Sequence, residues 1–133
     1  MTDSMTYHHI GIACMDIEAT ARQYAALGYR VGPRVTDPVQ NIEICFLDHD
    51  TMPRIELLGA VDENSPVVQI LKKNGTTPYH ICYTVPDIDQ TIKDLKRQRF
   101  LMVSKPVPAC AIENRRVAFM YHRDAGLIEL VES

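Results

Sequence analysis

The chain has 133 residues, a length typical of one domain, and 46% of them are apolar, which is enough to form a hydrophobic core. Its net charge of -3 and its isoelectric point near 5.9 argue against a nucleic-acid-binding surface, which would normally carry a basic stripe. No apolar run approaches the roughly 20 residues that span a bilayer, so we expect no membrane partner.

The N-terminal half is predicted to begin with a strand and an amphipathic helix. β-Branched and aromatic residues predict a strand over residues 9–14, and Asp16 is well placed to cap the helix that follows. Three apolar residues share one face of this helix, which ends at Gly28: Ile17, Tyr24 and Leu27. Three strands are predicted next, over residues 29–35, 42–47 and 54–58.

The order of elements repeats after a linker. Ser65-Pro66 and Asn74-Gly75 are typical of a helix start and stop, which predicts a short helix over residues 66–73. The predicted elements of the second half are a strand at 79–85, a helix capped by Asp87 with Ile88, Ile92 and Leu95 on one face, and strands at 100–107, 116–121 and 127–131.

The predicted architecture is therefore α+β, with the unit βαβββ present twice. One such unit leaves a sheet face uncovered, so we expect two modules to pair in a single domain, residues 1–133, around a cleft. The predicted parts are module one at about residues 7–59, a linker helix at about 65–74 and module two at about 78–131.

Sliding the sequence over itself supports the two modules. One constant shift matches His9 with His80 and Asp16 with Asp87. A slightly longer shift gives the matches of the later strands, which are Phe46 with Phe119, His49 with His122 and Glu56 with Glu129. Each module thus has a histidine early and a glutamate late.

These repeated residues predict a metal site. A glutamate between two apolar strand residues often lies on a solvated sheet face, and a single histidine is often structural. Pairwise repetition favours a shared purpose, because buried glutamates need a partner. Two imidazoles and two carboxylates suit a divalent first-row metal, so the predicted ligands are His9, Glu56, His80 and Glu129. Three other histidines compete with them less well: His8, His49 and His122.

At these residues the chain resembles the vicinal oxygen chelate superfamily, the glyoxalase-like fold, and within it most the methylmalonyl-CoA epimerases. The motifs that carry the resemblance are HHIGIA at residues 8–13, RIELL at 54–58, DENSPV at 62–67, YHICY at 79–83 and GLIEL at 126–130. The resemblance extends from about Tyr7 to Val131. The chain departs from the epimerase pattern over residues 106–116, which lack the usual glycines.

The resemblance implies an enzyme and its parts. It implies a divalent ion, with Co, Ni, Mn, Zn or Mg as candidates, on the four predicted ligands, one of which, Glu56, is Gln in some relatives. It implies proton abstraction next to the carbonyl of an acyl-CoA or other thioester, with Glu43 and Glu129 as catalytic carboxylates on either side of the substrate. A homodimer is also implied.

Three other functions stay open at this point. A lactoylglutathione lyase of the glyoxalase I type would use the same ligands and the same enolate chemistry. An extradiol dioxygenase would use two histidines and one carboxylate on iron, so a fourth ligand at Glu56 counts against it. A non-catalytic binding or resistance protein would usually lack the ligands.

The cysteines and the first residues indicate a compartment. The N-terminus is polar and includes Asp3, so we expect no signal peptide. The four cysteines are widely spaced without a C-x-x-C pair, and we interpret them as buried, reduced thiols: Cys14, Cys45, Cys82 and Cys110. This usage is typical of a cytoplasmic protein.

Overall fold

The computed structural model describes residues 4–133; Asp3, on which the signal-peptide prediction partly depends, lies outside the described residues. The chain divides into two compact units. Unit one comprises residues 9–79, and unit two comprises residues 80–133 together with residues 4–8. Among the described residues, no helix has the length and apolar character that crossing a membrane requires.

Unit one contains a four-stranded sheet and two helices. Its elements are β1 (Thr6–Ala13, from His9 onward), α1 (Ile17–Ala26), β2 (Arg30–Asp37), β3 (Ile42–Asp48), β4 (Ile55–Ala60) and α2 (Val68–Asn74). The strand order is β2-β3-β4-β1, with β1 parallel to β4 and the other pairs antiparallel. The first and last strands of the predicted βαβββ unit are therefore neighbours.

Unit two repeats this topology. Its elements are β5 (Thr77–Val85, from His80 onward), α3 (Ile88–Arg97), β6 (Leu101–Ala109), β7 (Arg115–His122) and β8 (Gly126–Glu132). The strand order is β6-β7-β8-β5, again with the first and last strands parallel. The predicted α+β class and the twofold βαβββ order are confirmed, and a 3-10 turn at Cys110–Ile112 was not predicted.

The aspartates predicted to cap the two long helices do so. Asp16 Oδ1 accepts a hydrogen bond from the Ala19 N–H at 3.1 Å, and Asp87 Oδ1 accepts one from the Gln90 N–H at 3.0 Å. The prediction that Leu27 lies on the buried face of α1 is wrong, because the helix has ended there and this side chain is 63% exposed.

Each helix packs on one face of its own sheet. The buried apolar cluster between α1 and the unit-one sheet includes Ile12, Ile17, Cys45, Leu47 and Leu57. The cluster between α3 and the unit-two sheet includes Val85, Ile88, Ile92, Met120 and Leu130. These apolar clusters identify the helix-covered face of each sheet, and strand alternation then assigns the remaining side chains to the opposite face.

The lengthening of the repeat shift along the chain has a local origin. β2 has 8 residues, whereas the corresponding β6 has 9. The connection after β6 holds the 3-10 turn, and it is also longer than the turn between β2 and β3. One extra residue therefore lies within β6 and the other in the connection from β6 to β7, and the strands that carry His80 and Glu129 keep the same places in the order of their unit.

The cysteines are not all buried. Cys14, Cys45 and Cys82 are buried, but Cys110 is exposed, so the expectation of burial is wrong there. Cys110 lies in the 3-10 turn between two strands rather than inside one. Burial raises the pKa of the Cys14 and Cys45 thiols above the ordinary value, which keeps them protonated near neutral pH.

A carboxylate at the end of β8 joins the start of α3 to β7. Glu132 Oε2 accepts a hydrogen bond from the backbone N–H of Ile88 at 3.0 Å, and Oε1 lies 3.1 Å from Nε of Arg116. The Arg116 guanidinium, assisted by the Ile88 N–H, holds the pKa of Glu132 below its ordinary value of 4.5.

Replacing Arg116 with methionine is expected to reduce the loss of stability in acid. Because the pKa of Glu132 is lower in the folded state, its ionised form stabilises the fold above about pH 4.5, and this contribution is lost as the pH falls through the folded-state pKa. Denaturant midpoints at neutral pH and at about pH 3 measure the effect. The matched control is Arg123→Met, which removes an exposed arginine of the β7–β8 turn. An equal loss of stability in acid for the unaltered protein, Arg116→Met and Arg123→Met would contradict the prediction.

Candidate metal centre

The register of β1 and β4 places His9 and Glu56 on the same face of the unit-one sheet. Gly11 pairs with Glu56, and the next residues, Ile12 and Leu57, point into the core under α1. By alternation, Gly11 and Glu56 point to the opposite face, and so does His9, two residues before Gly11. This face is called the site face of unit one.

On the site face an imidazole meets a carboxylate. His9 Nε2 lies 3.2 Å from Glu56 Oε1. His9 is 0% exposed and Glu56 is 3% exposed, so this glutamate does not lie on a solvated sheet face. The neighbours Ile55 and Leu57 are buried as well, which means that both faces of β4 are covered.

Unit two builds the same pair from its own strands. Cys82 pairs with Glu129 across β5 and β8, and the following residue, Leu130, belongs to the core under α3. His80, two residues before Cys82, therefore shares a face with Glu129. The distance from His80 Nε2 to Glu129 Oε1 is 3.0 Å, and both residues are buried.

A phenylalanine completes each pair and was not assigned to the site from the sequence. Phe46 is the cross-strand partner of Glu56, and its ring centroid lies 5.4 Å from that of His9 in an edge-to-face arrangement. Phe119 opposite Glu129 makes the same contact with the unit-two histidine at 5.2 Å. The matching of Phe46 with Phe119 in the internal repeat was the sequence signal for this role.

The chemistry of the pairs suits a metal ion. A buried carboxylate needs a compensating positive charge, since moving it out of water is costly. Either a protonated imidazole or a bound cation meets that need. Imidazole nitrogen and carboxylate oxygen are ligands that divalent first-row metals accept. Each unit offers one imidazole and one carboxylate, which its strands and a packed aromatic ring hold in place.

The competing histidines make turn contacts or are less buried than the predicted ligands. His49 Nδ1 accepts a hydrogen bond from the Thr51 N–H at 3.1 Å, and His122 Nδ1 accepts one from the Asp124 N–H at 3.0 Å. Both histidines thus stabilise the turn after a strand. His8 directly precedes the first site histidine in β1 and is only partly buried, whereas His9 is 0% exposed.

Glu43 does not lie on the site face. The β3–β4 ladder is regular, and it pairs Glu43 with Gly59 and Cys45 with Leu57. Glu43 therefore shares the α1 side of the sheet with Cys45, opposite to the face that carries Glu56. Its carboxylate accepts a hydrogen bond from Nε of Arg34 at 2.7 Å and is partly exposed. The catalytic role of Glu43 stays a prediction from the sequence, and a variant that tests it is described below.

The fold and these pairs define a class of protein. Residues 8–119 match the model of the Glyoxalase/Bleomycin resistance protein/Dioxygenase superfamily, and the chain belongs to this superfamily. The predicted superfamily is thereby confirmed.

Within the superfamily, the chain is similar to epimerases. It is 33% identical to the ethylmalonyl-CoA/methylmalonyl-CoA epimerase of Cereibacter sphaeroides over 92% of this chain and 94% of the relative. The crystal structure of methylmalonyl-CoA epimerase from Mycobacterium tuberculosis matches with a TM-score of 0.83 and 27% identity, covering 95% of this chain and 86% of that one. A variant of the Streptomyces coelicolor methylmalonyl-CoA epimerase in complex with 2-nitronate-propionyl-CoA matches with a TM-score of 0.80 and 28% identity, covering 96% of both chains. The predicted likeness to methylmalonyl-CoA epimerases is confirmed.

Proposed function

We propose that the protein is a metal-dependent epimerase that moves the proton next to the carbonyl of methylmalonyl-CoA or a closely related acyl-CoA. The observation that carries the proposal is the buried histidine–glutamate pair that occurs in the same register in both units. The similarity to epimerases over more than nine-tenths of the chain supports this reaction class.

We further propose that the two pairs bind one ion together. A single pair supplies two ligands, whereas a divalent first-row metal in a protein usually takes three or four protein ligands. His9, Glu56, His80 and Glu129 would supply four. Such an ion, when bound, acts as a Lewis acid that stabilises negative charge on a substrate oxygen. Co, Ni, Mn, Zn and Mg are all compatible with this donor set.

In this proposal the chain's own groups handle the proton. Glu129 takes up or returns the proton on one face of the α-carbon, since carboxylates serve as general acids and bases when they are positioned next to the reacting carbon, and inversion requires a second proton donor or acceptor on the opposite face. Phe46 and Phe119 keep water away from the imidazoles and fix the ring orientations through their edge contacts.

Replacing Glu43 with glutamine is expected to change the rate of proton exchange by less than about threefold, as is typical of partly exposed residues outside a site. The carboxylate points to the α1 side of the sheet and pairs with Arg34. Exchange at the α-carbon of methylmalonyl-CoA measures the effect. A fall of about a hundredfold or more, the size expected for loss of a general base, would restore the catalytic role predicted from the sequence.

Deuterium wash-in tests the proposed function directly. The protein is incubated with methylmalonyl-CoA in D2O, and mass spectrometry follows incorporation at the α-carbon. We expect incorporation by the metal-loaded protein and none after chelation, with activity restored when the metal returns. A protein that shows no exchange but converts methylglyoxal and glutathione would be a lactoylglutathione lyase instead.

We also propose that the protein is a homodimer and that it is cytoplasmic. The molecular mass of the purified protein in solution tests the first proposal, and fractionation of the source cells tests the second.

A further inference from the structure

Arg54 lies on the site face of unit one, next to the proposed metal ligands. It precedes Glu56 by two residues, and its carbonyl continues the pairing with β1 by accepting the Ile10 N–H at 3.2 Å. Its guanidinium carbon lies 5.6 Å from the centroid of the Phe46 ring. The Phe46 ring therefore contacts both the Arg54 guanidinium and the His9 imidazole.

The guanidinium is fixed in place and is also accessible. Asp48 Oδ1 accepts a hydrogen bond from Arg54 Nε at 2.6 Å, and both side chains are 43% exposed. An ion pair this exposed contributes little to stability, so the fold does not depend on it. A guanidinium carries five N–H donors in a planar fork that matches carboxylate and phosphate groups.

Unit two has no equivalent of this charged pair at the matching positions. In the alignment of the repeat that matches Glu56 with Glu129, Arg54 corresponds to Leu127 and Asp48 corresponds to Tyr121. The histidine, glutamate and phenylalanine are repeated, but the arginine is not. At these matching positions, a cation accompanies the histidine–glutamate pair of unit one only.

We propose that Arg54 is a specificity-determining residue that binds an anionic oxygen group of the substrate. This inference rests on the proposed function, in which the substrate is an acyl-CoA with a free carboxylate. The carboxylate and the phosphates of CoA present the same chemistry to a guanidinium. Asp48 occupies the Nε–H donor of the guanidinium and competes with the substrate for it.

The test measures binding by calorimetry with three probes and does not depend on turnover. The probes are methylmalonyl-CoA, propionyl-CoA, which lacks the free carboxylate, and methylmalonyl-pantetheine, which lacks the nucleotide phosphates. For Arg54→Met we expect binding of methylmalonyl-CoA to weaken by about 10- to 100-fold, the size of one charge-assisted hydrogen bond. Asp48→Asn is expected to strengthen binding severalfold, because it removes the competing carboxylate.

The pattern over the probes identifies the group that Arg54 binds. If affinity falls for the two methylmalonyl probes and not for propionyl-CoA, the group is the carboxylate; if it falls for the two CoA probes only, the group is a phosphate. Unchanged affinity for all three, or an equal fall for all three together with loss of metal, would show that Arg54 only supports Phe46. Should Arg54→Met fail to fold, Asp48→Asn decides, since unchanged or weaker binding there overturns the proposal.

A matched control is available in the same unit. Arg22 forms an exposed ion pair with Glu18 within α1 at 3.1 Å, so Arg22→Met removes an exposed arginine from the helix-covered side of the unit-one sheet. We expect it to bind all three probes as the unaltered protein does. If the unaltered protein binds the probes but shows no proton exchange, the proposed reaction fails while the role of Arg54 in binding can still be measured.

Discussion

The metal content of the protein is expected to fall from one ion per chain to none when either His9 or His80 is replaced by glutamine. The reason is that a single ion is proposed to need both histidine–glutamate pairs, although each pair lies within its own unit. Loss of a partner outside the first coordination sphere already lowers metal affinity by about 10- to 100-fold, and loss of a ligand should cost more. Elemental analysis of dialysed protein, purified without a histidine tag, gives the ratio.

The matched control is His49→Gln, because His49 is a histidine of the same unit that accepts hydrogen bonds in a turn. It should retain the full metal content. Two ions per chain in the unaltered protein, each lost separately, would show that the pairs act independently. Protein that takes up no divalent metal at all would show that each pair is a buried ion pair, and the proposed metal dependence would be abandoned.

Proton exchange is expected to slow by about 10²- to 10⁴-fold in Glu129→Gln, the range that loss of a general acid–base group covers. Glu56→Gln is the natural comparison, since Glu56 occupies the corresponding place in unit one and is buried to the same degree, 3% exposed. The resemblance to epimerases, some of which carry glutamine at this position, implies that an amide is tolerated there. We therefore expect Glu56→Gln to keep the metal and at least a tenth of the exchange rate.

Metal analysis of both variants separates the two roles proposed for Glu129. If Glu129→Gln keeps its metal and loses exchange, the carboxylate handles the proton. If it loses both, its contribution is that of a ligand, and the proton acceptor has to be sought elsewhere on the site faces. If Glu129→Gln exchanged the proton as fast as Glu56→Gln, the proposed role of Glu129 in proton transfer would be wrong.

The elements and the donor pairs could be predicted because their signals are local or repeated. Asp16 and Asp87 cap helices through contacts three residues away, so a short stretch of sequence is sufficient to predict them. His9, Glu56 and their counterparts in the second half stood out because the same residue types recur in the same order. Leu27 shows the limit of this approach, since periodicity does not specify the residue at which a helix ends.

The side of the sheet that a side chain occupies was decided by register. Glu43 and Glu56 both stand in apolar strands, and sequence alone allowed both to face the substrate. Because a step of one residue reverses the face, the regular pairing of Phe46 with Glu56 places Glu43 on the opposite side. Cys110 is a similar case, because only the fold shows that it lies in a turn between strands.

The sequence by itself determined the two βαβββ units and the histidine and glutamate that each contains, because periodicity and repetition are properties of the chain alone. Tertiary structure decided which groups meet. Parallel pairing of the first and last strands brings His9 to Glu56 although a helix and two strands separate them along the chain, and it adds Phe46 and Arg54 to the same face. Such contacts depend on strand order and register, which distant parts of the chain set together.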